Sequence, residues 1–124
     1  MSATPVVLIV DDHSDIRRLL SITLGKEHHI IEAEDGVAAL EAVRQHRPGM
    51  VLLDVMMPGA LDGLQVLEAI KTNPQTKNTP VAMITARGQL ADQNEGRALG
   101  ADAYFIKPFS PLKLVAAIKE SLAK

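Results

Sequence analysis

The feature of this sequence that most constrains its fold is a repeated alternation between short apolar runs and longer amphipathic segments. The apolar runs are four to six residues long and recur five times, and the segments between them carry apolar residues at every third or fourth position. Short runs that are almost continuously apolar are typical of strands buried on both faces of a parallel sheet. The predicted strands are Pro5–Val10, His29–Ala33, Met50–Leu53, Val81–Ile84 and Ala103–Ile106.

The amphipathic segments predict five helices. We expect Ser14 to cap the first helix and Gly25 to end it. The apolar face of that helix would consist of Ile16, Leu19, Leu20 and Leu24. The second, third and fourth helices are predicted at about Gly36–His46, Gly63–Thr72 and Leu90–Leu99. The fifth is predicted to start at Ser110-Pro111, with Ser110 as its cap, and to bury Leu114, Val115, Ile118 and Leu122.

Strands that alternate with helices imply right-handed crossovers, parallel pairing and helices on both faces of one sheet. The run His29–Ala33 mixes polar with apolar residues, which favours an edge strand. Ten elements fill the chain and leave no linker, repeat or low-complexity stretch, so residues 1–124 are predicted to form one domain. The predicted fold class is a three-layer α/β domain with a doubly wound, five-stranded parallel sheet.

The composition argues against several classes of function. Thirteen Lys and Arg against fifteen Asp and Glu give a net charge of −2, which predicts no basic surface for nucleic acid or an anionic membrane. The absence of cysteine excludes disulfides, thiolate nucleophiles and zinc–cysteine sites. No segment has the length of a membrane span or the character of a signal peptide. We therefore expect a cytosolic protein that contacts neither nucleic acid nor membrane.

Polar side chains stand where four of the predicted strands end. Asp11 and Asp12 follow the first strand, Asp54 follows the third, Thr85 the fourth and Lys107 the fifth. Ligands of open parallel sheets bind at the carboxyl ends of the strands, so these side chains are candidates for one site. Crowded carboxylates repel one another, and a divalent cation bound among them removes that conflict. Oxygen ligands favour Mg²⁺, or Mn²⁺, over zinc.

A metal held by carboxylates is suited to phosphoryl chemistry. It neutralises phosphoryl oxygens, and a carboxylate beside it can act as the nucleophile. Lys107 would add a second positive charge and Thr85 a hydroxyl donor. Positioning and charge neutralisation matter more in such a reaction than proton transfer, so a histidine base is not required.

Each of these residues also has an ordinary structural interpretation. Adjacent aspartates before a helix often act as capping groups, and Asp54 could begin a turn. Four strand ends that each supply a useful group favour the functional interpretation. The histidines lack metal-ligand spacing and are predicted to be surface residues: His13, His28, His29 and His46.

With these residues assembled, the chain resembles the receiver domains of bacterial two-component response regulators over essentially its whole length. The matching motifs are Asp11-Asp12, Asp54 in Leu-Leu-Asp-Val-Met-Met-Pro, Thr85-Ala86, and Tyr104-Phe-Ile-Lys107-Pro-Phe. The spacings of 43, 31 and 22 residues between Asp11, Asp54, Thr85 and Lys107 suit the family. The resemblance implies a flavodoxin-like sheet with strand order 2-1-3-4-5.

The resemblance also implies a role for each residue. Asp54 would accept a phosphoryl group from a phosphohistidine, and Asp12 and Asp54 would bind Mg²⁺ through their side chains. Asp11 would act on the metal mainly through water, and Met56 would contribute its backbone carbonyl. The phosphoryl group would be contacted by Lys107 and by Thr85, and Tyr104 would be the aromatic residue that turns inward during switching.

The partners implied are a sensor histidine kinase or a histidine phosphotransfer protein, and a downstream protein that binds the face formed by the fourth helix, fifth strand and fifth helix. Family members that dimerise through this face usually have an acid and an arginine where Ala103 and Ala117 stand. We therefore expect a monomer or a weak, phosphorylation-dependent dimer. The loop Gly59–Asp62 is one residue longer than the commonest family pattern.

Two other functions are compatible with parts of the pattern. An aspartate-nucleophile phosphatase of the haloacid dehalogenase type shares an aspartate nucleophile, Mg²⁺ and a lysine, but it expects an Asp-x-Asp pattern after the first strand. A phosphorylation-independent adaptor could share the fold, although it would not need the intact acidic site. The receiver interpretation predicts a signalling switch, not a turnover enzyme.

Overall fold

The structure, a computed structural model, describes residues 6–25, 28–55, 57, 61–86, 97–107 and 110–122. Within strands and helices, only the backbone is described for Thr85, Ala86, Lys107, Pro111 and Ser121. Pro5, at the predicted start of the first strand, lies outside these ranges. So does most of the helix predicted at Leu90–Leu99, of which residues 97 and 98 are helical.

Five parallel strands form one sheet in the order β2-β1-β3-β4-β5. Their bounds are β1 Val6–Val10, β2 His29–Ala33, β3 Met50–Asp54, β4 Val81–Ala86 and β5 Ala103–Lys107. The predicted order is confirmed, and β2 is an edge strand as its mixed composition indicated. Three strands run longer than predicted, because pairing with a neighbour continues through Asp54, Ala86 and Lys107.

Helices cover both faces of the sheet. They are α1 Ser14–Leu24, α2 Gly36–His46, α3 Gly63–Thr72 and a C-terminal helix, Pro111–Leu122. Successive side chains of a strand point to opposite faces, so each strand contributes to two cores. One core joins α2 and α3 to residues such as Leu8 and Leu53, and the other joins α1 and the C-terminal helix to Ile9 and Leu52. The three-layer prediction is confirmed.

The start of α1 differs from the prediction. Ser14 is the first helical residue, and His13 is the N-cap, with an extended backbone. The side chain of Asp11 accepts a hydrogen bond from the backbone N–H of His13 at 2.8 Å, which satisfies a donor at this end of the helix. The chain therefore enters the helix one residue earlier than a Ser14 cap would allow.

Two single-residue predictions about burial were wrong. Leu19 is 44% exposed, because the buried stripe of α1 follows Leu20 and Leu24, and Leu19 is turned away from it by about 100°. His28 was predicted to lie on the surface, but it is buried. Its Nδ1 lies 3.0 Å from the carbonyl oxygen of Leu24, and this contact satisfies the ring nitrogen inside the protein.

Caps fix the ends of the other described helices. Asp35 caps α2 by accepting from the backbone N–H of Ala38 at 2.8 Å. Asp62 and Gln65 form a reciprocal capping box at the start of α3, with both hydrogen bonds at 2.9 Å. Ser110 precedes the C-terminal helix, as predicted, and its Oγ accepts from the N–H of Lys113 at 3.4 Å. Among the described residues, no helix is long and apolar enough to cross a membrane.

Candidate metal site

The carboxyl ends of β1 and β3 lie side by side near the centre of the sheet. Val10 is paired with Leu53, so Asp11 and Asp54 occupy the next positions on adjacent strands. From β1 the chain passes through α1 to β2 on one side, whereas β3 lies on the other side. The loops that leave β1 and β3 therefore separate at this point, which is where ligands bind in open α/β sheets.

Four side chains meet in this crevice. One potential ligand atom from each of Asp11, Asp12, His13 and Asp54 lies within 4.8 Å of the other three. The sequence predicted the three aspartates as a group, and the structure brings them together. The prediction did not include His13, whose imidazole joins the same cluster.

Burial makes this carboxylate cluster costly without a cation. Asp11 is 1% exposed and Asp54 is 2% exposed, while Asp12 is half-buried. Oδ1 of Asp12 is shielded from solvent and makes no well-directed hydrogen bond within the described part of the chain, although Nδ1 of His13 lies 3.2 Å away. A buried carboxylate loses part of its hydration, and neighbouring carboxylates add mutual repulsion. The cluster could therefore hold a metal ion, and its oxygen donors fit Mg²⁺ or Mn²⁺.

The loop that carries Asp11 is tied to α1 and to the edge strand. The guanidinium of Arg17 donates through Nη1 to the carbonyl oxygen of Asp11 at 2.7 Å and through Nε to Glu32 at 3.1 Å. The N–H of Asp11 donates to the carbonyl of Ala33 at 3.2 Å. Ser21 of α1 donates to the second oxygen of Glu32 at 3.2 Å. These contacts hold the backbone on which the metal-site carboxylates are mounted.

The residues after Asp54 are held by the neighbouring strand and by α3. Val55 donates its N–H to the carbonyl of Ile84, and Gly63 donates its N–H to the carbonyl of Val55, both at 3.0 Å. Gly63 lies so close to β3 that a Cβ atom there would collide with the carbonyl of Asp54. The first turn of α3 can approach the site only because residue 63 has no side chain.

The other predicted site residues are only partly described. The backbones of Thr85 and Lys107 lie at the same end of the sheet as Asp54, since Asp54 pairs with Ile84 and Ala86 pairs with Lys107. Their side chains are not described, and Met56 lies outside the described residues. Their proposed contacts with the metal or a phosphoryl group therefore stay predictions.

Tyr104, the predicted switch residue, lies in β5 opposite Met83 of β4. It is half-buried and packs against the core under α2 and α3. Strand β4 therefore lies between Tyr104 and β3, the nearer of the two strands that carry the acidic cluster. Whether its ring turns on activation stays a prediction.

Sequence reasoning missed the residues that support the site. Arg17 and Glu32 are 15 positions apart and meet only because β1 and β2 pair. Neither residue lies in a motif, and hydrophobic periodicity does not distinguish one polar residue on a helix from another. Arg17 stands six residues after Asp11 and one turn into α1, which was the available hint.

Comparison with known proteins identifies the family that shares these features. A family model described as the response regulator receiver domain matches residues 7–119. The transcriptional regulatory protein ResD of Bacillus subtilis is 40% identical over 119 residues, covering 95% of this chain and 48% of that protein. The phosphate regulon transcriptional regulatory protein PhoB of Escherichia coli is 40% identical over 114 residues, covering 91% of this chain and 49% of that protein. The chain thus spans about half the length of these relatives.

Solved structures agree with the sequence matches. The chemotaxis protein CheY4 of Vibrio cholerae superimposes with a TM-score of 0.88 at 32% identity, covering 96% of this chain and 99% of that one. The receiver domain of NtrX from Brucella abortus superimposes with a TM-score of 0.87 at 34% identity, covering 95% and 98%. The fold and a recognisable sequence similarity therefore extend over nearly the whole chain.

Proposed function

This chain belongs to the response regulator receiver family, and we propose that Asp54 is its phosphoacceptor in a Mg²⁺-dependent transfer from a phosphohistidine. One observation carries this proposal. Asp54 is a buried carboxylate at a strand end, and its ligand atom lies within 4.8 Å of those of Asp11 and Asp12. The product of this transfer is an acyl phosphate on Asp54. Receiver domains are signalling switches, so this acyl phosphate would act by changing the conformation of the domain.

The transfer requires a nucleophile and neutralisation of phosphoryl charge. An oxygen of the Asp54 carboxylate forms a bond to phosphorus as the N–P bond of the phosphohistidine breaks. The electron pair of that bond stays on the imidazole nitrogen, which then takes a proton from solvent. Mg²⁺, when bound, supplies positive charge for the phosphoryl oxygens. Asp12 and Asp54 would hold it directly, and Asp11 would act through water.

The remaining roles rest on the family resemblance and on backbone position. Thr85 and Lys107 lie near the carboxyl ends of adjacent strands, at the same edge of the sheet as Asp54, and would contact an acyl phosphate there. Met56 would add its backbone carbonyl to the metal. Tyr104 would follow Thr85 in a population shift between two arrangements, with the acyl phosphate favouring one of them.

We propose that residues 1–124 act as one receiver domain in the cytosol. A sensor kinase or a histidine phosphotransfer protein would supply the phosphoryl group, and a downstream protein would bind the face around β5 and the C-terminal helix. Ala103 of β5 and Ala117 of that helix leave this face without the acid–arginine pair of dimerising relatives. The chain would therefore act as a monomer or a weak dimer.

Intact-protein mass spectrometry tests the phosphoacceptor assignment. Incubation with acetyl phosphate and Mg²⁺ is expected to add one phosphoryl group that is stable to acid and labile to base. Asp54→Asn is expected to lose it, whereas Asp15→Asn, which changes an exposed carboxylate in the first turn of α1, is expected to keep it. Unchanged labelling of Asp54→Asn would refute the assignment.

The same preparation distinguishes the two other functions. Steady hydrolysis of p-nitrophenyl phosphate with Mg²⁺ would indicate a phosphatase. A chain that neither binds Mg²⁺ nor gains a phosphoryl group would indicate a phosphorylation-independent adaptor.

A further inference from the structure

His13 carries a ring nitrogen into the acidic cluster, and the proposed transfer gives this nitrogen no role. Its Nδ1 lies 3.1 Å from Oδ1 of Asp11 and 3.2 Å from Oδ1 of Asp12. The side chain is 64% exposed, so its approach to the carboxylates is not forced by packing. It is also one of the four residues whose ligand atoms lie within 4.8 Å of one another.

The backbone of His13 is fixed at both of its polar groups. Its N–H donates to Oδ1 of Asp11 at 2.8 Å, and its carbonyl accepts from the N–H of Arg17 at 3.2 Å. As the N-cap of α1 it has φ −91° and ψ 111°, an extended conformation. The imidazole has only two side-chain torsions to order, so little conformational entropy is lost when it turns toward the cluster. The ring is thus held close to where a cation would bind.

We propose that His13 is a nitrogen ligand of this metal site and that it raises the affinity for borderline transition ions relative to Mg²⁺. This inference rests on the metal site of the proposed function and adds a selectivity to it. Carboxylate oxygens serve Mg²⁺ well, whereas an imidazole adds little for so hard a cation. Co²⁺ and Zn²⁺ bind imidazole nitrogen strongly and accept mixed nitrogen and oxygen ligands. Two carboxylates and one imidazole form such a set.

If the contacts of His13 were purely structural, a different pattern of metal affinities would be expected. His13 could serve only as a hydrogen-bond partner of Asp11 and Asp12 while no cation is bound. In that case its removal would change the binding of Mg²⁺, Co²⁺ and Zn²⁺ by similar factors. A ligand role changes the ratio of the affinities, and this ratio is the quantity to measure.

The test is calorimetric titration of the whole chain with Mg²⁺, Co²⁺ and Zn²⁺, each alone. The variant is His13→Asn, because asparagine is a good N-cap and keeps the start of α1 intact. We expect His13→Asn to weaken Co²⁺ and Zn²⁺ binding on the order of tenfold or more, since even the loss of indirect support for a ligand costs about that much. Mg²⁺ affinity is expected to stay within about twofold, a change too small for the loss of a ligand.

His29→Ala is the matched control. His29 is an exposed histidine at the start of β2, outside the cluster, so its removal is expected to leave all three affinities unchanged. The visible absorption spectrum of bound Co²⁺ gives an independent readout, because it depends on the ligand atoms. We expect this spectrum to differ between the wild type and His13→Asn, and to be the same in the wild type and His29→Ala.

The outcomes separate this inference from the proposed function. If the wild type binds Mg²⁺ and is phosphorylated, but His13→Asn leaves the Co²⁺ to Mg²⁺ affinity ratio and the Co²⁺ spectrum unchanged, only the inference fails. If Asp54→Asn is still phosphorylated while His13→Asn loses Co²⁺ affinity selectively, only the phosphoacceptor assignment fails. Equal weakening of all three ions in His13→Asn also overturns the ligand role.

Discussion

Replacing Arg17 by methionine tests how the metal-site loop is held. The side chain of Arg17 is only 16% exposed, and its guanidinium bonds both the carbonyl oxygen of Asp11 and the carboxylate of Glu32. Methionine retains the packing of the aliphatic stem and removes every donor. The variant therefore isolates the hydrogen bonds from the contribution of the buried methylene groups.

The two contacts of Arg17 are expected to contribute unequally to stability. A charged donor to a part-buried carbonyl contributes about 1.5–3 kcal/mol. Glu32 is 44% exposed, so water screens the ion pair and its contribution is about 0–1 kcal/mol. We therefore expect Arg17→Met to lower the free energy of unfolding by about 2 kcal/mol and Glu32→Gln to lower it by about 0.5 kcal/mol.

Urea denaturation followed by circular dichroism, in metal-free buffer, measures both free energies. The double variant completes a mutant cycle, and the coupling energy between Arg17 and Glu32 is expected to be below about 1 kcal/mol. Most of the loss in Arg17→Met should then persist when Glu32 is already glutamine. If Arg17→Met cost nothing in the Glu32→Gln background, the bond to the Asp11 carbonyl would have no stabilising role and the reasoning would be wrong.

Three further predictions concern the site and the packing around it. Asp12→Asn is expected to stabilise the metal-free chain, because it removes a charge from a crowded cluster. It is also expected to abolish the stabilisation that Mg²⁺ gives the wild type, which is about 2.7 kcal/mol when the Mg²⁺ concentration is 100 times the dissociation constant. Thermal unfolding with and without Mg²⁺ measures both effects. Gly63→Ala is expected to lower stability by about 2 kcal/mol or more, because its Cβ would collide with the last carbonyl of β3; an unchanged urea midpoint would contradict this. Lys71→Met is expected to lower the free energy of unfolding in urea by about 2 kcal/mol, because the ammonium of Lys71 donates to the carbonyl of Thr79 at 2.8 Å and to Asp102 at 3.0 Å. The control Lys77→Met, at an exposed position, is expected to have little effect.

Periodic patterns in the sequence were sufficient to predict all five strands, to within one or two residues at their ends, and two helices in full. The bounds of α2 and α3 agree with the prediction residue for residue, because each begins after a capping aspartate and buries a clear apolar stripe. The resemblance supplied the strand order, which local patterns do not contain. The grouping of Asp11, Asp12 and Asp54 followed once parallel pairing was assumed, since strand ends then share one edge.

The errors fall on residues whose environment depends on contacts distant in sequence. Leu19 is apolar and helical, but the position of the buried stripe is set by how α1 packs on the sheet. His28 is polar by composition, yet its ring is satisfied by a carbonyl four residues earlier. The bond between Arg17 and Glu32 exists only after β1 and β2 have paired. Patterns of three or four residues contain none of this information.

Burying the carboxylates of the acidic cluster lowers the stability of the fold, and contacts around the cluster reduce that loss. Buried carboxylates at Asp11 and Asp54 would be replaced by apolar groups if stability alone were favoured. The fold instead supplies donors around the loop, from the N–H of His13 and the guanidinium of Arg17, and brings α3 close through Gly63. These contacts fix the backbone that carries the carboxylates. A divalent cation bound among these carboxylates would lower the repulsion between them, which is why we expect cation binding to stabilise the folded domain.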